Sequence, residues 1–125
     1  MREGAKLDTS ELVRRYQAGE RDFSRVDLNG VSLSGVDLCG INLSTAKMSG
    51  ADLSGVNFCG ANLSGAVLSK ANLTGANLTE ADMSWADLFG ANLAGANLIG
   101  ANLSMAIMIR AILTGATMPD GADRK

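Results

Sequence analysis

From Phe23 to Met118 every fifth residue is large and apolar, a Leu, Met or Phe at each of twenty successive positions. A five-residue period fits neither an α-helix, whose faces recur about every 3.6 residues, nor the two-residue alternation of a strand. It fits a short extended segment followed by a corner, repeated along the chain. The residue two before each centre is restricted as well. It is Val or Ile at 26, 31, 36 and 41, then Ala from Ala46 to Ala116 with the exception of Val56. Centre and companion are two apart, so they share one face of an extended segment, and both point inward. Asp or Asn mostly separates them, and Ser or Thr and then Gly mostly follow. The glycine supplies the positive φ that a type II corner requires.

This pattern, Ala-Asp/Asn-Leu-Ser/Thr-Gly, resembles the pentapeptide repeat family over residues 21–120. The resemblance implies an all-β fold, a right-handed, quadrilateral β-solenoid with four pentads per coil and five coils. At about 4.8 Å per coil the rod is roughly 24 Å long. The entry Gly19 to Phe23 and the exit Met118 to Gly121 look like those of the small cyanobacterial members.

Sorting the pentads by four gives the sides. Gly35, Gly55, Gly75, Gly95 and Gly115 end every pentad of one side, which is therefore expected to turn by type II corners. Another side ends in Arg25, Thr45, Gly65, Trp85 and Met105. Side chains are disfavoured at positive φ, so that side is expected to turn without it at most coils. Residues 1–20 lack the repeat, and Asp8-Thr-Ser-Glu11 reads as a helix start. A helix over 9–18 carries Leu12, Val13 and Tyr16 on one stripe and is expected to cap the first coil over Phe23, Leu28, Leu33 and Leu38. Pro119-Asp120-Gly121 stops the stack and leaves 121–125 as a tail.

The chain contains no histidine, which removes the usual general base, the usual neutral metal ligand and the Ser-His and Cys-His pairs. A filled solenoid also offers no cavity, so no catalytic, cofactor or metal residue is assigned and the chain reads as non-enzymatic. Glu80, Asp82 and Asp87 are the densest acids of the repeats, but Asp is half of the ordinary Asp/Asn choice at that place. Cys39 and Cys59 stand one full coil apart in equivalent outward positions. That spacing is compatible with a disulfide, yet parallel stacked side chains fit its geometry poorly, so they read as two reduced residues in an outer ladder. Arg14, Arg15, Arg21 and Arg25 form a basic cluster that reads as a solvated helix face rather than a nucleic-acid site.

The informative anomaly is apolar and outward. Trp85, Phe89, Ile99, Met105, Ile107, Ile109 and Ile112 all fall in the last two coils, whereas outer positions of the first three are almost entirely small, polar or charged. This is the candidate protein interface, most simply a homodimer through the C-terminal coils. The expected function is a structural or protein-interaction module without nucleic acid, membrane or cofactor. The alternative implied by the family is a DNA mimic that binds DNA gyrase. Within 21–120 eight acids face five bases, a net of −3, where duplex DNA carries about 14 charges over the same length. Mimicry is therefore disfavoured. The opening residues carry no apolar run resembling a signal peptide, and the expected location is cytoplasmic.

Overall fold

A computed structural model describes residues 4–123. It is a β-solenoid-type fold with one short helix. Parallel bridges join residues twenty apart, from Asp22–Asn42 to Asn97–Thr117, each limited to a single residue pair. The straight segments are too short to count as strands, because a corner interrupts the chain every five residues. Each twenty-residue period is a coil, and its four sides are numbered in chain order: 21–24, 26–29, 31–34 and 36–39, with their equivalents in later coils.

Neighbouring coils are laddered through the same three N–H groups in each pentad. Leu33 donates to Asp52 O and Gly35 to Ser54 O of the next coil, while Asp52 N–H reaches back to Val31 O. The centres and their small companions fill the interior, and Leu53, Leu73 and Leu93 have no exposed surface. The Asp or Asn between them has a structural task of its own. In fourteen pentads among the described residues its Oδ1 accepts the N–H two positions on, as Asp52 does from Ser54 at 3.1 Å and Asn62 from Ser64 at 3.0 Å. This side-chain turn closes each straight segment against its corner. The bonds hold the Asp22 and Asp52 carboxyls below the usual carboxylate pKa, through the Ser24 and Ser54 hydroxyls first and the same residues' N–H groups second.

The corners correct one expectation. Every fifth residue from Arg25 to Gly115 has positive φ, including Arg25 at 67°, Thr45 at 56°, Trp85 at 63° and Met105 at 62°. The side ending in these residues thus turns like the others. The ladder outweighs local preference, because Arg25, Thr45 and Trp85 each donate their N–H to the next coil, at 3.0, 2.9 and 2.9 Å. A left-handed non-glycine residue costs about 1–2 kcal/mol, comparable with the hydrogen bond that a different corner would forfeit. Regularity ends at Pro119-Asp120-Gly121, where positive φ shifts to Gly121 and Asp123 folds back antiparallel over Thr117.

The N-terminal end of the stack is sealed. Helix α1, Thr9–Gln17, starts at Asp8, whose carboxylate accepts the Glu11 N–H at 2.8 Å. That bond, with one from the Ser10 hydroxyl, holds the Asp8 pKa below its usual value. Leu12 is fully buried, Val13 and Tyr16 pack against the core, and Phe23, Leu28, Leu33 and Leu38 beneath them are fully buried. The preceding residues add a cover absent from the sequence reading. Lys6 pairs with Asp27 in parallel, and Leu7 is 5% exposed.

Carbonyls of the first coil that have no coil before them find assorted donors. Asp27 O takes the Leu7 N–H at 3.1 Å, Asn29 O the Lys6 Nζ at 2.8 Å, Ser32 O the Thr9 hydroxyl at 2.8 Å and Cys39 O the Tyr16 hydroxyl at 2.7 Å. The coil at 101–120 differs. Leu103, Met108, Leu113 and Met118 are only part-buried. The N–H groups of Leu103, Met105, Met108, Arg110, Leu113 and Gly115 have no hydrogen-bond partner among the described residues.

Candidate protein-docking face

The register sorts the seven outward apolar residues onto different sides. Phe89, Ile107 and Ile109 lie on the second side, and Trp85 and Met105 form its leading corner. Trp85, Met105 and Ile109 are 66%, 65% and 64% exposed, which marks them as surface rather than imperfect core. Ile112 stands on the third side, beyond the corner at Arg110, and Ile99 on the fourth side, across the coil from the rest. Five of the seven therefore make one contiguous patch, and Ile99 does not belong to it. Sequence reasoning missed Val67, which bridges to Asp87 and extends the patch one coil towards the N-terminus. The signal was available, since Val67 occupies a place that is Asp or Asn in most pentads.

The other candidates are engaged in holding the fold. Asp82 on the first side and Asp87 on the second accept the N–H groups of Ser84 and Phe89, and Glu80 sits at the corner before the first side, so the acids do not share one side. Among the described residues no cluster of three or more acids or cysteines is placed to hold a metal ion. Arg15 contacts Glu20 at 2.9 Å and Glu11 at 3.6 Å, and the Arg21 guanidinium lies 3.8 Å from the centre of the Tyr16 ring. Both belong to the cap. Cys39 and Cys59 form a disulfide, with Cα atoms 4.8 Å apart, which corrects the reading of two reduced thiols. The twenty-residue register brings the two backbones within disulfide range in one outward column of the fourth side.

A family model described as pentapeptide repeats matches the chain in eight copies over residues 22–60, 57–93 and 86–120. The chain belongs to the pentapeptide repeat family. Among solved structures, this pentapeptide repeat protein is similar to one from the Arabidopsis thaliana thylakoid lumen. Identity is 33%, the TM-score is 0.73, and the match covers 79% of this chain and 69% of that one. It is also similar to a pentapeptide repeat protein from Nostoc PCC 7120, with 38% identity and a TM-score of 0.55 over 84% of this chain and 78% of that one. No curated protein matches the sequence.

Proposed function

We propose that this pentapeptide repeat protein is a non-enzymatic interaction module, a right-handed rod of five coils that docks a protein partner on the C-terminal half of its second side. The twenty-residue bridge register from Asp22 to Thr117 supports the coil count. The observation that carries the reading is the confinement of Trp85, Phe89, Met105, Ile107 and Ile109 to one side and its corner. Apolar residues scattered singly over a surface need no explanation, whereas a contiguous group of this kind marks an interaction site. DNA mimicry finds less support, because four of the five bases between 21 and 120 stand on this side or its corners and interrupt any duplex-like negative field.

The reading is tested by placing a photo-crosslinking residue at Phe89 or, on the fourth side, at Asn77. A discrete protein adduct at position 89, absent at 77 and lost when Ile109→Ser is added, is the expected result. Equal labelling from both sides would reject it. Sedimentation over a wide concentration range shows whether the adduct is a second copy of the chain. The Cys39–Cys59 disulfide is suited to an oxidising compartment. Thiol labelling of protein taken directly from cells tests that location.

A further inference from the structure

The charges of the repeats are as polarised as the apolar residues, and on the same side. Arg25, Lys47, Lys70 and Arg110 stand on the second side or its bounding corners, and Lys6, paired to Asp27, extends the strip. Only Asp27 and Asp87 oppose them there, and Asp27 lies 3.7 Å from Lys6. The strip thus has five bases against two acids, a balance of +3 in a chain whose net charge is −2. The remaining sides and corners between 21 and 120 carry one base and six acids. Along the second side the bases dominate the N-terminal coils and the apolar residues the C-terminal ones, with Lys70 and Arg110 flanking the apolar group.

A backbone feature points the same way. Most pentads satisfy the N–H before the corner with their own Asp or Asn. Lys47 cannot accept, and Asn29 Oδ1 of the preceding coil takes the Ser49 N–H at 2.8 Å. Val67 and Ile107 cannot accept either, and the N–H groups of Ser69 and Ile109 have no hydrogen-bond partner among the described residues. Two places on the positively charged side are thus left for an oxygen from outside; the Ser34 and Thr114 N–H groups on the third side also lack a partner among the described residues, so it is the charge that sets the second side apart.

Size and composition narrow the occupant. One side is about four residues wide and roughly 24 Å long, on the order of 300 Å2, against about 800 Å2 per partner in a stable protein–protein interface. A second rod laid flat on this side alone falls well short. An extended segment of about seven residues spans the same length. A bilayer surface fits poorly, because Asp87 stands in the middle of the apolar group and would be carried towards the acyl chains.

Resting on the docking site proposed above, we infer that its partner is an extended acidic polypeptide segment with apolar residues at one end. Those residues cover Phe89, Ile107 and Ile109. Its carboxylates face Lys47, Lys70 and Arg110 and accept the N–H groups of Ser69 and Ile109.

Trp85, the only tryptophan in the chain, reports occupancy of the site through its emission. The full chain is titrated with a random Glu/Tyr copolymer, with poly-glutamate, with a short DNA duplex and with phosphatidylcholine vesicles containing phosphatidylglycerol. The copolymer is expected to bind best, more weakly as salt rises. The triple variant Lys47→Glu, Lys70→Glu, Arg110→Glu is expected to lose about tenfold or more in affinity, and so is Phe89→Ser with Ile109→Ser. Asn57→Glu and Asn77→Glu on the fourth side should change nothing, and unchanged melting of each variant confirms its fold. Loss in the apolar variant with full binding by the charge-reversed one would overturn the acidic partner and leave the docking site standing. Failure of the copolymer to bind, or tighter binding of DNA or vesicles, would overturn the inference outright.

Discussion

The two ends of the stack are built from the same pentads and differ in almost everything else. At the N-terminal end Phe23, Leu28, Leu33 and Leu38 are fully buried, and five carbonyls of the first coil are met by two backbone N–H groups, a lysine and two hydroxyls. In the coil at 101–120 the equivalent centres are part-buried, and six N–H groups point along the stack without a partner among the described residues. A repeat satisfies its neighbours but cannot satisfy itself at an end, where both core and sheet edge need cover. The seal shows that the cover need not resemble the repeat. It needs a few apolar residues over the core, here Leu7, Leu12, Val13 and Tyr16, and donors at the right height, whatever side chain carries them.

The sharpest break of this comparison is removal of residues 1–18, which is expected to give an aggregating chain. The graded form is Leu12→Ala, expected to lose about 2–5 kcal/mol in urea unfolding, beside Leu113→Ala at the other end, expected to lose about 1 kcal/mol because its site is already part-open. Equal losses would show that the ends are not different. Next in size is the disulfide. Cys39→Ser with Cys59→Ser is expected to lower stability by up to about 3 kcal/mol, the loop-closure value for a separation of this length. Thr79→Cys with Ile99→Cys, in the same column nearer the open end, should recover a similar amount when oxidised.

Corner effects separate from end effects in a matched pair. Thr45→Gly should stabilise by about 1 kcal/mol, since the β-branched residue holds φ at 56°. Gly75→Ala should destabilise by about as much, because its φ is 66° although no atom would lie within 4 Å of the new Cβ. The smallest effect expected is that of pH. Asp8, Asp22 and Asp52 have pKa values lowered below 3.8 in the fold. Their contribution is complete above the unfolded value and disappears as pH falls through the lowered ones. Thermal melting should therefore be flat near neutrality and drop below about pH 4. Asp52→Asn should keep the turn, as Asn72 does at the same place in the next coil, and reduce the drop.

The register was readable because it is set by the largest and most regular energetic signal, burial of one large side chain every five residues. Helix α1 was readable from Asp8, Glu11 and a short apolar stripe. The segment before it was not, although Ala5-Lys6-Leu7 has the companion-and-centre spacing of a pentad, because it falls one residue out of phase with the repeats. The corners misled because φ preference was weighed residue by residue, whereas the ladder imposes one geometry on the entire column. The outward apolar patch was half legible. Its members were visible as outward apolar residues, but assigning Ile99 to it required ignoring which side of the coil it occupies. The polarised charge around it needed the sides to be compared as surfaces.

The Cys39–Cys59 link also decides how the rod would respond to force. Pulled from its ends, a ladder of this kind can yield one coil at a time, beginning where the edge is open, and each coil frees about 66–72 Å of chain. The covalent link holds the nineteen residues between the cysteines out of that extension. A stretched molecule would give successive steps of one length and then stop short by one step until a reductant is added. The contour length of the protein under tension is thus a quantity that its redox surroundings set.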